Sequence, residues 1–379
     1  MRRGPRWRQR ADRYLRRRPR RTVGPTGTSS TTTNVPHLDG WRGLAILLVL
    51  CCHFIGLGFG WAGGLGVSLF FVLSGLFMGR LLFIRQVRLS DFFARRFARV
   101  IPTFWLFVLA MYAYPNQWFG RPYSVPLSEL LSTMFFLRSY FPEDASIWAD
   151  RWAIGHTWSL SVEEHSYVVL ALVALAARAV GRTAVTTASL IALCAVALVF
   201  NFFYLAHAPL GATPWYLRSE CASLGLITAA MLVVCREQLG DWSRRVPSML
   251  PVLTFCIALA CFTTYDHKAV DRFIAPPMLA FTVVFLDRSP QLLRHFLSAR
   301  WLRWLGTCSF SIYLWQQPVY LAFQEGRIGI GGAWILALGL GAASFYAVEN
   351  PLRLFLNDRW ATRKGASAGE AMPAPGRSA

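Results

Sequence analysis

The sequence predicts an all-α fold, a polytopic membrane bundle of about ten transmembrane helices. Three observations lead there. Of the 379 residues, 55% are hydrophobic and only 15% charged, with a mean hydropathy of +0.39, whereas a soluble domain carries about 25% charged residues. Ten apolar stretches fall at 41–59, 64–84, 97–114, 157–177, 184–206, 217–235, 249–264, 272–287, 304–323 and 330–349. Arginines crowd alternate gaps between these stretches, as the positive-inside bias of membrane proteins requires.

The first element is a tail. Eleven of the first 21 residues are arginine, and a polar tract follows over 26–34. No apolar run adjoins the basic block, so residues 1–36 read as a disordered basic cytoplasmic tail at an anionic leaflet, not as a cleaved signal peptide. With that tail inside, Arg80, Arg85, Arg88, Arg95, Arg96 and Arg99 lie inside as well, as do Arg178, Arg182, Arg236, Arg244 and Arg245. Glu143, Asp144, Asp150 and Asp266 fall in the opposite gaps. Both termini are therefore expected in the cytoplasm. The long gap 115–156 is external on this map, and its segment Leu127–Leu137 would form a short surface helix. Stretch 272–287, broken by Pro276 and Pro277, is the weakest. Residues 37–353 make up the membrane domain, and 354–379 would be a disordered cytoplasmic tail.

The net charge of +20 would suggest nucleic acid in a soluble protein. Here the basic side chains sit beside apolar runs, so the lipid surface is the expected partner and nucleic acid is excluded. All eight cysteines lie in or at the ends of apolar stretches with no CxxC spacing, which argues for small apolar residues and no metal site.

Against this background a few polar residues stand out. The first stretch reads HLDGWRGLAILLVLCCHFIG from His37 to Gly56. Arg42 and His53 are eleven residues apart, about three turns, so they share one helix face about 16 Å apart along the axis. Arg42 would sit near one surface and His53 near the midplane, where an ionisable group is costly and a functional candidate. Asp39 is placed at i, i+3 to fix the Arg42 guanidinium.

In the second stretch, Gly75 and Gly79 form a small-xxx-small packing face, and Ser74 can hydrogen-bond a neighbouring site. Arg96 and Arg99, at i, i+3, can converge on one phosphate or simply anchor the helix. The fourth stretch opens His156-Thr-Trp158-Ser159-Leu-Ser-Val-Glu163-Glu164-His165. Two carboxylates so early in a membrane helix are hard to assign to packing. His156 is expected at the external end, meeting the acceptor or water. In the ninth stretch, which holds Tyr313 and Gln316, Pro318 should kink the helix and free backbone carbonyls, and Glu349 near the end of the tenth would pair with a cytoplasmic arginine.

Taken together, the stretches LDGWRGLAILLVLCCH, GVSLFFVLSGL, RRFARVIP, HTWSLSVEE, SIYLWQQP and VENP resemble the acyltransferase 3 family. Its members are integral-membrane O-acyltransferases that modify sugars of bacterial surface polysaccharides and some antibiotics. The resemblance runs in the family's order from 37 to 353. It maps the family's Arg-ten residues-His pattern onto Arg42 and His53, its paired arginines onto Arg96 and Arg99, and its Trp-Ser-Leu glutamate onto Glu163. In many members a histidine follows the Tyr-Leu-Trp run; here that position is Gln316, which cannot take up a proton near neutral pH.

The resemblance implies an enzyme of the bacterial inner membrane that uses acyl-CoA, with acetyl as the expected group, as a co-substrate and no tightly bound cofactor. Arg42, Arg96 and Arg99 would bind the phosphates of CoA. His53 would act as general base or transient acyl carrier. Glu163 would orient His53 or contact a carbohydrate acceptor, with Asp39, Ser74, Trp158, Ser159, Glu164, Tyr313 and Gln316 in support. The rival reading from another class is a transporter or flippase whose solute path is lined by the same residues. It would leave the Arg42–His53 phase match without a reason, and no inverted repeat supports it.

Overall fold

A computed structural model describes residues 35–56, 58–113, 126–141, 153–181, 183–207, 215–263 and 270–370, with side chains described as far as 360. The described residues are helical and contain no strand. The basic tail, apart from its last two residues, lies outside them, as do most of the 115–156 gap and residues 371–379.

The principal helices are α1 (Pro36–Phe54), α2 (Gly60–Met78), α3 (Leu89–Ala113), α4 (Leu127–Met134), α5 (Trp158–Val180) and α6 (Thr183–His207). They are followed by α7 (Leu224–Leu239), α8 (Leu250–Thr263), α9 (Ala275–Val284), α10 (Gln291–Leu297), α11 (Arg300–Gln324), α12 (Ile330–Ser344) and α13 (Asn350–Glu370). Each of the ten apolar stretches falls on one of these helices. Two π turns interrupt the regular spacing, Gly79–Ile84 after α2 and Phe345–Glu349 after α12.

Among the described residues, six segments are long and apolar enough to cross a membrane: Gly60–Ile84, Leu89–Ala113, Gly155–Val180, Thr183–His207, Ser219–Arg245 and Ile330–Trp360. Length and composition among the described residues thus mark six crossings and do not confirm the expected ten. The other four stretches fall short for two physical reasons. Helices α1 and α11 carry polar side chains (Asp39, Arg42 and His53; Gln316 and Gln317) that lower their hydropathy. Helices α8 and α9 have only 14 and 10 residues. In α9 the two prolines stand at the first helical positions, where a missing N–H costs nothing. Helix α6 turns Ile191, Val196, Val199, Phe202 and Phe203 outward, an apolar surface suited to lipid.

Helix α13 runs on through Glu370, so the segment from 354 begins as helix, and the Phe97 and Trp360 rings meet 6.3 Å apart. The expected surface helix within the long gap is α4, tied to α3 by the indole N–H of Trp105 donating to the Met134 carbonyl, 3.1 Å.

Glycine sets the packing that positions the site. A Cβ on Gly306 of α11 would lie 1.9 Å from the Asp39 carbonyl oxygen, and one on Gly43 of α1 1.9 Å from that of Leu302. Backbone contact this close brings α1 and α11 together along their first turns. On the other side of the bundle, a Cβ on Gly75 would lie 2.0 Å from the Leu226 oxygen of α7, so Gly75 and Gly79 serve packing, as their spacing suggests. Gly306→Ala is therefore expected to destabilise the protein by about 1–3 kcal/mol or more, since overpacked backbone contacts cannot relax through a rotamer change. The check is the thermal midpoint in detergent against that of Gly339→Ala, where a Cβ would meet nothing within 4 Å.

Candidate active site

Helix α1 is unbroken from Pro36 to Phe54, which keeps Arg42 and His53 on one face. Its ends differ from those expected. Gly56 and Gly58 take φ of +70° and +79°, a left-handed geometry that favours glycine and stops the helix early. His53 consequently stands in the last turn of α1. Its ring stacks on Tyr320 of α11 at 4.3 Å and 20°, and α11 extends only about 6 Å beyond Tyr320.

The decisive contact to His53 comes from Gln316. His53 Nδ1 and Gln316 Oε1 are 2.5 Å apart, and Gln316 is fully buried. The Gln316 amide nitrogen donates to Gln317 Oε1 at 3.4 Å, so its carbonyl oxygen is the group that faces His53. A carbonyl oxygen accepts only, so Nδ1 carries the proton and Nε2 is left with a free lone pair. Tyr320 lies one turn beyond Gln316 on the same face. The i, i+4 spacing of these two residues was visible in the sequence, yet nothing in it pointed to a histidine as their common partner.

Glu163 is not hydrogen-bonded to His53. Its Oε1 accepts from Ser74 at 2.8 Å, and its Oε2 accepts from Tyr167 and from Arg96, both at 2.9 Å. Arg96 spreads its fork over two carboxylates, with Nε donating to Glu164 at 2.8 Å. Its guanidinium also covers the Tyr167 ring, 3.7 Å from the centroid. The group clamps α3 to α5 and α2. Tyr167, one turn beyond Glu163, is the member that sequence reasoning passed over.

Arg95, Arg96 and Arg99 line one cavity of about 150 Å³ together with Met78, Leu81, Val87, Asp91 and Phe92. The π turn after α2 contributes one wall. Arg99 makes no hydrogen bond or ion pair among the described residues, though it lies within electrostatic range of Arg96 and Glu349. Arg42 pairs with Asp39 at 3.6 Å, rests on the Phe77 ring at 4.8 Å, and lies within electrostatic range of Arg99. The arginines thus gather at one end of α1 and the imidazole stands at the other. Glu349, placed by the second π turn, accepts from Ser311 at 2.7 Å and lies in electrostatic range of Arg99 and Arg353.

Around the start of α5, Tyr313 donates to the His156 carbonyl at 2.8 Å, and its hydroxyl is 2.7 Å from that of Ser159. Tyr313 and Ser159 therefore hold the 3₁₀ turn Gly155–Thr157 that carries His156. Trp158 packs edge-on against Phe71 at 6.0 Å and serves the core. His156 is only 3% exposed, in contrast to the external, wetted position expected of it. The described residues include no cluster of His, Cys, Asp and Glu able to hold a metal ion, and none of the eight cysteines is in a disulfide.

Comparison with known proteins bears on the family of the chain. The profile of the acyltransferase domain of the acyltransferase 3 family matches residues 35–348. The chain is 26% identical over 358 residues to the Bacillus subtilis protein named "Putative peptidoglycan O-acetyltransferase YrhL", covering 84% of this chain and 55% of that protein. It is 23% identical over 352 residues to the peptidoglycan O-acetyltransferase OatA of Listeria monocytogenes, covering 84% and 56%. It is also 23% identical over 354 residues to the O-acetyltransferase OatA of Staphylococcus aureus, covering 84% and 57%. The chain thus spans little more than half the length of these relatives. No solved structure is significantly similar to it.

Proposed function

Because the chain belongs to the acyltransferase 3 family, matched over residues 35–348, we propose that it transfers an acetyl group from acetyl-CoA to a carbohydrate hydroxyl across a bacterial inner membrane. The observation that carries this reading is the unbroken α1, which joins an arginine-rich end to an imidazole with a free Nε2. The two are about 16 Å apart, comparable to an extended pantetheine arm. The phosphates of CoA engage Arg99 and Arg42 at the cytoplasmic end, and the thioester reaches His53.

The chemistry is then a single displacement. His53 Nε2 removes the proton of the acceptor hydroxyl, whose oxygen attacks the thioester carbonyl carbon. The new C–O bond forms, the C–S bond breaks, and the proton on His53 passes to the departing thiolate, giving free CoA and an acetyl ester. Gln316 contributes by holding the tautomer. The peptidoglycan named for the relatives makes a cell-wall glycan the expected acceptor.

Sealed vesicles of known orientation test donor and sidedness together. With an N-acetylglucosamine oligosaccharide on both sides and acetyl-CoA outside, inverted vesicles should release CoA thiol and yield acetylated sugar, and right-side-out vesicles should not. Release confined to right-side-out vesicles, or absent from both, would overturn the reading.

A further inference from the structure

His156 is the buried titratable group for which the chemistry above has no use. Both of its ring nitrogens are buried without a hydrogen-bond partner among the described residues. A buried polar atom left unsatisfied is costly, and in a native structure it asks for an explanation. The ring lies 5.0 Å from that of Tyr313 and 5.8 Å from that of Phe107, and it is close enough to His53 for the two imidazoles to interact electrostatically.

The surroundings offer acceptors to the ring but no donor. The carbonyls of Tyr313 and Leu314 lie beside the ring, short of good hydrogen-bond geometry. The Leu314 carbonyl is itself released, because its helical donor would be residue 318, a proline without an N–H. Carbonyl oxygens only accept, and a neutral imidazole carries a single N–H, so they can serve one ring nitrogen and not both. The other nitrogen then presents a lone pair and needs a donor from outside the protein. His53 presents a lone pair in the same way, its Nδ1–H being engaged by Gln316 Oε1.

We propose that His156 binds a second hydroxyl of the acceptor, its unprotonated nitrogen accepting a hydrogen bond from a hydroxyl next to the one that His53 activates. Two acceptor nitrogens from two helices then read a pair of hydroxyls. The site selects a polyhydroxylated acceptor, a sugar, over water or a simple alcohol, because only a polyol satisfies both rings at once. This rests on the acyl-transfer reading above. Tyr313 and Ser159 act here as positioning residues, through their hold on the turn that carries the ring.

The test uses purified full-length protein in lipid nanodiscs with acetyl-CoA and the N-acetylglucosamine oligosaccharide or 1-propanol as acceptor. The parent should favour the oligosaccharide. His156→Leu, which removes the acceptor nitrogen at similar volume, should raise the oligosaccharide KM about tenfold, the loss of one hydrogen bond, with the acetyl-CoA KM within threefold. His156→Asn, which keeps a side-chain acceptor oxygen, should recover much of the loss. A packing role predicts the opposite order, since Leu removes two unsatisfied atoms and should leave the thermal midpoint unchanged or higher. Equal oligosaccharide KM values for the parent and His156→Leu, or Leu outperforming Asn, would overturn the proposal. A parent that transfers acetyl to neither acceptor would instead remove the acyl-transfer reading itself, and this inference with it.

Discussion

Replacing His53 with alanine is expected to lower acetyl transfer by about 10²–10⁴-fold, the usual loss on removal of a positioned general base, while the protein still inserts and folds. The expectation rests on Nε2, whose lone pair is free because Gln316 Oε1 holds the Nδ1 proton at 2.5 Å. His53→Gln should be nearly as inactive, since an amide keeps hydrogen bonding but cannot accept a proton at neutral pH. Gln316→Leu should fall between, because the imidazole remains but its tautomer and orientation are no longer held. Turnover of labelled acetyl-CoA, normalised to protein by immunoblot, reads all three. Retention of more than about a tenth of parental turnover by His53→Ala, far milder than loss of a base allows, would remove His53 from the chemistry.

The order of those three variants depends on a contact that no pattern in the sequence discloses. Periodicity sets the phase of residues within one helix, which is why the Arg42–His53 match and the Asp39–Arg42 pair survive in the structure. It is silent on which helices meet. His53 and Gln316 are separated by 263 positions, and Arg96 and Glu163 by 67; both pairings follow from backbone approaches at Gly43 and Gly306 and from the packing of α3 on α5. The early end of α1 was legible, because two glycines within four residues of Phe54, Gly56 and Gly58, are a stop signal. The burial of His156 was not, since it depends on Tyr313 of α11 hooking a carbonyl in the turn ahead of α5. The crossing count stays unconfirmed for a different reason. The polar groups that mark α1 and α11 as functional are the same ones that depress their hydropathy.

Arg96 and Arg99, paired in the sequence and lining one cavity, are expected to behave in opposite ways. Arg96 is bonded to Glu163 and Glu164 at 2.9 and 2.8 Å, and these side chains are 14–18% exposed. Arg96→Ala leaves two carboxylates facing each other with little solvent. Removing one partner of a fully buried pair costs about 3–5 kcal/mol, and the residual exposure here argues for about 2–3 kcal/mol, read as a lower thermal midpoint in detergent. Arg99 has no such bond to lose, and Glu349 keeps the Ser311 hydroxyl and the nearby Arg353. Arg99→Ala should therefore fold with a midpoint near the parent's, while the acetyl-CoA KM rises about tenfold, the loss of a charge-assisted phosphate contact. Arg99→Lys should restore part of that affinity, because charge returns without the fork. If Arg99→Ala binds acetyl-CoA normally while a well-folded Arg96→Ala does not, the donor phosphates belong to Arg96, and the carboxylate clamp must open when CoA arrives.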